Sequence, residues 1–255
     1  PISRKIIGEI LKEYPECSIT AEDNSLAEAM LAIYEKWGET FVLIIDEYDV
    51  FIREQVSKPL FHDYLSFLNG LFKSDTLRPA ISLAYLTGIL PIVRDKVQSK
   101  LNNFEEYTIL EAGGFSRFMG FTAEEVRELC RKYDLDYNEC KNWYDGYRID
   151  DFEIYNPESV VKSIIRGKYG NYWGKTSSYQ AISDRISANF EGTRDDVIQM
   201  LSGGRVDVDT EMYLNTMTDF STKDEVFTYL IHLGYLAYDS NDDPCHIPNK
   251  EVRDE

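Results

Sequence analysis

The feature that most constrains this chain is a short apolar run, Phe41–Ile45, that leads directly into the carboxylates of Asp46, Glu47 and Asp49. The run is too short to span a membrane, and its lack of alternation predicts a strand buried on both faces of a parallel sheet. In open α/β sheets, ligands bind at the carboxyl ends of the strands. The carboxylates therefore mark the edge of the sheet where a ligand site would lie.

These residues have the pattern of a Walker B strand, which contributes to Mg²⁺ binding in NTP-hydrolysing enzymes. In such a strand Asp46 would help to hold the metal, and Glu47 would orient or deprotonate the attacking water. Apolar strands also end in acidic residues where the following loop is simply solvated. The pattern alone therefore leaves a nucleotide site and a solvated strand end as alternatives.

A second apolar run, residues 80–86, follows an amphipathic helix predicted over residues 59–73 and closes in Thr87-Gly88. Thr87 stands where the strand beside a Walker B strand carries a polar residue that senses the γ-phosphate. A Thr-Gly turn that merely ends a strand explains the same residues. Arg94, on the next segment, would either approach a phosphate as a nucleotide-binding residue or remain in solvent.

Charge and composition narrow the function classes. The 255 residues carry a formal charge of −18, which argues against broad nucleic-acid binding, since such binding needs a basic surface. No apolar stretch approaches the roughly 20 residues that cross a bilayer, and no signal peptide is visible, so we expect no membrane partner. Four scattered cysteines, expected to be reduced, fit a cytoplasmic protein. The cysteines show neither CxxC pairing nor a histidine at ligand spacing, which makes a structural zinc site improbable.

The second half of the chain differs from the first in its predicted secondary structure. A third strand is predicted at residues 106–110, and the pattern beyond it is mainly helical. A helix over residues 223–233 followed by a hairpin indicates a winged-helix-like end. We therefore predict an α/β domain over residues 1–115 and a helical, winged-helix-like region over residues 116–255.

The loop that cradles a triphosphate is missing from the sequence. Residues 170–176 invite comparison with the G-x-x-x-x-G-K-[ST] pattern, but Tyr169 stands where the first glycine is required. The segment also follows the Walker B strand, whereas the phosphate loop normally precedes it. We therefore predict a parallel-sheet, P-loop NTPase-like core that is incomplete because its Walker A strand is absent. Such a sheet would expose an unpaired edge, so we expect the isolated chain either to self-associate or to lack a segment cut from a longer protein.

Several ordered motifs resemble the predicted AAA-ATPase-like family of bacterial proteins, whose members often carry a C-terminal PD-(D/E)XK nuclease-like domain. The resemblance extends over most of the chain from Leu26 onward. The motifs that carry it are Leu43-Ile44-Ile45-Asp46-Glu47-Tyr48-Asp49, Leu86-Thr87-Gly88-Ile89, Leu101-Asn102-Asn103, Gly120-Phe121-Thr122-Ala123-Glu124-Glu125-Val126, Trp143-Tyr144-Asp145-Gly146-Tyr147, Ile154-Tyr155-Asn156-Pro157-Glu158-Ser159-Val160, Tyr172-Trp173 with Thr176-Ser177, and Ile247-Pro248-Asn249-Lys250-Glu251-Val252.

The resemblance implies an ATPase that uses ATP and Mg²⁺ to drive or switch an effector domain, with the P-loop upstream of the residues given. By position, Asp46 would be the Mg²⁺ carboxylate, Glu47 the catalytic base and Thr87 the sensor, while Asp49 has no assigned role. The implied partners are the nucleotide, a C-terminal nuclease-like domain and, as in ring-forming relatives, further copies of the chain. The alternative is a catalytically inactive binding or regulatory module whose helical half contacts protein or DNA.

Overall fold

The computed structural model describes residues 2–22, 24–53, 56–91, 94–95, 98–99, 103–173, 190–211, 220, 222–239 and 244–255. The chain divides into two compact units, Pro1–Glu105 and Glu106–Glu255, slightly before the boundary predicted between residues 115 and 116. Helices and strands occur in both units, so the protein is of the mixed α/β class. In the described ranges, no helix combines the length and the apolar character needed to cross a membrane.

The first unit contains a small parallel sheet and four described helices. Strands β1 and β2 pair in parallel, and β3 and β4 form an antiparallel pair. The described helices are α1 (Ile2–Glu13), α2 (Leu26–Trp37), α3 (Val50–Arg53) and α4 (Lys58–Phe72), with a 3-10 turn at Arg78–Ala80. The described strands are β1 (Phe41–Ile45), β2 (Ile81–Leu86), β3 (Arg94–Asp95) and β4 (Gln98–Ser99).

Local sequence signals set the ends of α2, the helix that leads into β1. The backbone N–H of Glu28 donates to Ser25 Oγ at 3.2 Å, and the backbone N–H of Ser25 donates to Glu28 Oε2 at 2.6 Å. This reciprocal capping box satisfies two donors that the first turn would otherwise leave unpaired. Gly38 then ends the helix in the left-handed conformation, with φ 73°. The capping box and the glycine thus mark the two ends of the helix.

In the described part of the chain, helices pack against one face of the β1–β2 sheet and leave the other face uncovered. On the covered face Phe41 and Leu43 contact a core formed by Ile7, Leu26, Ala29, Met30, Leu71, Leu77 and Ala80. On the other face Ile44 is 71% exposed, and its neighbour across the pair, Tyr85, is 54% exposed. The prediction of burial on both faces is therefore wrong for the described structure, because only one side of the two-stranded sheet is covered.

The second unit contains two small antiparallel sheets and most of the helices. The sheets have the strand orders β5-β7-β6 and β8-β10-β9. The described helices are α5 (Ala123–Lys132), α6 (Tyr137–Tyr144), α7 (Pro157–Arg166), α8 (Thr193–Leu201), α9 (Lys223–His232) and α10 (Lys250–Arg253), with 3-10 turns at Gly113–Phe118 and Phe190–Gly192. The described strands are β5 (Phe121–Thr122), β6 (Tyr147–Ile149), β7 (Phe152–Tyr155), β8 (Val206–Asp207), β9 (Ala237–Tyr238) and β10 (Pro244–His246).

Helix α9 is the centre of the C-terminal part of this unit. All its residues from Val226 to Ile231 are buried, so the helix is enclosed by its surroundings on every side. Met200, Val206 and Cys245 belong to the core around it. The predicted helix and hairpin are thus present, and β8 adds a third strand to the hairpin.

The strand predicted at residues 106–110 is wrong. Backbone N–H groups of Thr108 and Glu111 each donate to the other residue's carbonyl, at 3.0 and 3.2 Å. The Thr108 hydroxyl oxygen also accepts from the N–H groups of Leu110 and Glu111, both at 3.2 Å. A threonine side chain that bonds to the backbone ahead of it favours a turn over an extended strand.

The pH dependence of stability should report the environment of His232, at the end of α9. Burial lowers the pKa of this histidine to about 4, from an ordinary value of 6.5. The unfolded chain therefore binds a proton near pH 6.5 that the folded chain accepts only near pH 4. The free energy of unfolding should fall by on the order of 1–3 kcal/mol as the pH drops through this window.

Urea unfolding at pH 7 and pH 4.5, in the wild type and in His232→Gln, measures that contribution. We expect a smaller loss of stability in the variant, because glutamine takes up no proton. His246, whose pKa burial also lowers, and all carboxylates are common to both proteins and cancel in the comparison. An equal loss in both proteins would contradict the assignment to His232.

Candidate functional site

The carboxyl ends of β1 and β2 meet at one edge of the parallel sheet. Beyond the strands, the backbone N–H of Thr87 donates to the Ile45 carbonyl and the N–H of Tyr48 donates to the Thr87 carbonyl, both at 2.9 Å. These bonds continue the parallel pairing into the loops. The two segments singled out in the sequence as ligand-binding therefore lie side by side.

Asp46 and Thr87 are in direct contact at this edge. The Thr87 hydroxyl donates to Asp46 Oδ1, and the backbone N–H of Glu47 donates to the same oxygen at 3.0 Å. Asp46 is exposed and Thr87 is half-buried. A carboxylate and a hydroxyl thus face solvent together, one from each strand.

Glu47 has an unusual backbone conformation. Its φ is 52°, in the left-handed region that non-glycine residues seldom adopt. The side chain is 66% exposed, and its Oε2 lies 3.2 Å from Arg53 Nη2 in an ion pair. Backbone strain of this kind persists where the surroundings enforce it, and it is found at functional sites. The sequence around Glu47 does not predict this conformation.

Asp49 is fully buried and joins the two loops. Its Oδ2 accepts from the backbone N–H groups of Ile89 and Leu90, at 3.1 and 2.9 Å, and from Arg53 Nε at 3.1 Å. Three donors, one of them charged, therefore converge on a single oxygen. The other oxygen, Oδ1, is buried and has no hydrogen-bond partner in the described part of the chain. Asp49 holds the loop after β2 against the loop after β1, a role that the sequence did not reveal.

Gly88 allows this close approach of the loops. A Cβ at this position would lie 2.7 Å from Tyr48 Cε1 and 2.8 Å from Asp49 Oδ1. The Tyr48 hydroxyl in turn donates to the Leu90 carbonyl at 2.5 Å. Both loops are therefore fixed by buried contacts, which leaves the exposed Asp46–Thr87 pair on a rigid support.

Tyr64, on α4, contacts the loop that follows β1. Its hydroxyl donates to the Tyr48 carbonyl at 2.8 Å. Burial, assisted by the negative charge of Asp49, raises the pKa of Tyr64 to about 12. The hydroxyl therefore stays protonated at physiological pH and serves as a donor.

The predicted Mg²⁺ role of Asp46 can be compared with the donors present. Mg²⁺ binds oxygen ligands, often through one or two protein groups together with substrate phosphates and water. The exposed Asp46 carboxylate and the Thr87 hydroxyl fit that requirement. Among the described residues, no group of three or more His, Cys, Asp or Glu side chains could form a metal cage.

The structure leaves Arg94 undetermined as a phosphate ligand. Its backbone lies in β3, while its side chain is outside the described part of the structure. Lys175 and Thr176 of the P-loop-like segment are likewise outside it. The preceding α7 ends at Arg166 with Gly167 as its cap, as expected for a segment that does not follow a buried strand.

A family model and a relative each match part of the chain. A family model described as "Predicted AAA-ATPase" matches residues 4–98. An "Uncharacterized protein in vnfD 5'region" from Azotobacter chroococcum mcd 1 is 24% identical over 156 residues, which cover 59% of this chain and 30% of that protein. The chain thus spans about 30% of the length of this relative. No solved structure matches the chain. The residues matched by this family model include β1, β2 and the loops that carry the site.

Proposed function

We propose that this protein is part of an AAA-type ATPase that binds MgATP at the carboxyl edge of β1 and β2 and hydrolyses it to drive or switch an effector domain. The observation that carries the proposal is the Asp46–Thr87 contact, with Glu47 next in the chain. Asp46 and Thr87, which the sequence places at the ends of two separate strands, meet at the edge of the sheet where ligands of parallel sheets bind.

Each residue has a distinct task in this proposal. Asp46, with Thr87 beside it, would hold Mg²⁺, which neutralises charge on the β- and γ-phosphates when it is bound. Glu47 would accept a proton from the attacking water or orient it. Thr87 would act as the sensor, donating its single hydroxyl proton to a γ-phosphate oxygen instead of to Asp46 when the nucleotide is bound. We propose that the triphosphate-binding loop, which residues 1–255 do not contain, comes from elsewhere in the polypeptide.

The ion pair with Arg53 bears on how Glu47 would work. The guanidinium holds the carboxylate through Nη2 and also bonds to the buried Asp49. Because Asp49 is fixed, Arg53 is fixed too, and it restrains the exposed Glu47 side chain. A base restrained in this way pays less conformational entropy when it positions a water molecule.

A non-catalytic interaction module is the second candidate. The strand order β8-β10-β9, with α9 before the hairpin, supports a winged-helix-like arrangement. However, Val226–Ile231 of α9 are buried, so this helix does not present a face that could enter a DNA groove. The charge of −18 also opposes DNA binding. A protein partner is therefore the better form of this alternative.

MgATP turnover by the full-length gene product, wild type against Glu47→Gln, tests the proposal. We expect the variant to lower kcat by on the order of 100-fold, because the base is lost while the side-chain volume is kept. Nucleotide affinity should change little, since the proposed role of Glu47 lies in the chemical step.

Glu35→Gln, an exposed substitution on α2, is the matched control and should leave turnover unchanged. Equal turnover in Glu47→Gln and wild type would remove this residue from the chemistry. If the wild type neither binds nor hydrolyses the nucleotide, the interaction module becomes the better explanation.

A further inference from the structure

A polar cleft of about 460 Å³ lies in the second unit, far along the sequence from the proposed ATPase residues. It opens between the turn at residues 143–147 and the segment at residues 248–254. Both stretches are among the motifs singled out in the sequence, and the proposed ATPase chemistry uses neither. The charged residues that line the cleft are Lys141, Asp145, Lys250, Arg253 and Asp254.

Positive charge in this cleft is only partly neutralised. Lys141 Nζ lies 3.3 Å from both Asp145 Oδ2 and Glu153 Oε2, so this ammonium is already paired. The pKa of Lys141 is raised accordingly, mainly by the charge of Asp145. Within the described residues, neither Lys250 nor Arg253 forms an ion pair with a carboxylate.

Lys250 and Arg253 are both exposed, so their charges are accessible from the cleft. Lys250 places its ammonium 4.0 Å from the centre of the Trp143 ring. A cation held over an aromatic face keeps its positive charge accessible. The charges of Lys250 and Arg253, three positions apart on α10, line the same cleft.

Buried contacts fix the segment at residues 248–254 that carries Lys250 and Arg253. Glu251, which lies between them in the sequence, is 2% exposed. Its Oε1 accepts from the backbone N–H groups of Tyr172 and Trp173, at 2.7 and 3.0 Å. The same oxygen accepts from Ser159 Oγ at 3.0 Å. Asn249 Oδ1 accepts from the backbone N–H of Val252 at 3.0 Å. The backbone positions of Lys250 and Arg253 are therefore set before any ligand binds, which lowers the part of the entropic cost of binding that comes from ordering the segment.

We propose that this cleft binds the phosphate group of a small phosphomonoester. A phosphomonoester carries a charge of about −1.5 to −2 at neutral pH, which matches the two cations without carboxylate partners. The arginine fork can bind two phosphate oxygens at once, and the lysine adds a point charge.

Several features favour a small ligand over a nucleic acid. The cleft volume falls in the usual range for small-molecule sites, roughly 300–1,000 Å³. Asp254 stands at the cleft beside Arg253 and would repel a second phosphate. The surrounding protein, at −18, would repel a long polyanion more strongly still.

Tryptophan fluorescence of the 255-residue chain, titrated with inorganic phosphate at constant ionic strength, tests the proposal. We expect a saturable change, because an anion that binds Lys250 alters the cation above the Trp143 ring. The change should disappear in Trp143→Phe. In Arg253→Gln and in Lys250→Gln the Kd for phosphate should rise at least tenfold, with circular dichroism unchanged.

The controls separate this cleft from other anion sites. Arg131→Gln, at an exposed arginine on α5, should bind phosphate like the wild type. Asp46→Asn should also leave the titration unchanged, so the result is independent of the ATPase proposal. Absence of a saturable response, or wild-type binding in both Arg253→Gln and Lys250→Gln, would overturn the proposal. A response to acetate as strong as that to phosphate would overturn the assignment to phosphate.

Discussion

Replacing Asp49 by alanine is expected to lower the free energy of unfolding of the first unit by about 3–5 kcal/mol. The carboxylate is fully buried and accepts from two backbone N–H groups and the Arg53 guanidinium. Removal leaves the Ile89 and Leu90 donors without their acceptor and Arg53 without a buried counter-charge. Unpaired buried donors and charges carry their full desolvation penalty, which makes the loss larger than the net value of the bonds.

Urea unfolding of the 255-residue chain, followed by circular dichroism, measures this loss. Asp46→Ala is the matched control, because Asp46 is exposed and its carboxylate bonds only at the surface. We expect that variant to lose no more than about 1 kcal/mol. Similar losses in the two variants would show that the buried network around Asp49 does not hold the loops together.

The contrast between these two carboxylates shows where sequence reasoning stops. Asp46 and Asp49 stand in the same short motif, and nothing local distinguishes a solvent-facing ligand from a buried acceptor. The distinction depends on the N–H groups of Ile89 and Leu90, some 40 positions further along the chain. Tertiary contacts of this kind have no signature in the pattern of residues around Asp49.

Local signals, in contrast, predicted much of the fold. The capping boxes at Ser25 and Thr122 give helix starts that the structure confirms, because both partners lie within four residues. Apolar runs located β1 and β2, and their polar ends located the Asp46–Thr87 contact. The same apolar pattern led to the wrong prediction that both faces of β1 are buried. Ile44 reads as a core residue, yet whether its face is covered depends on other elements of the fold.

Gly146 is the second position where a contact with a residue distant in the sequence determines how much a substitution destabilises the fold. We expect Gly146→Ala to lower the free energy of unfolding of the second unit by about 3–5 kcal/mol, from backbone strain and overlap together. Its φ is 112°, which side chains rarely allow, and a Cβ would lie 2.0 Å from the Pro248 carbonyl oxygen. Because that neighbour is backbone, it cannot turn aside as the end of a flexible side chain would.

Gly167→Ala separates the steric part of this effect from the conformational part. Gly167 also has a positive φ, of 63°, but no atom lies within 4 Å of the position its Cβ would take. Alanine there should cost only about 1–2 kcal/mol, the penalty of the left-handed conformation. Thermal and urea unfolding of both variants should therefore show a clear difference, and the excess loss in Gly146→Ala measures the contact with Pro248. If the two variants lose equal stability, the turn at residues 143–147 does not rest on Pro248, and the cleft between them lacks the fixed wall that phosphate binding requires.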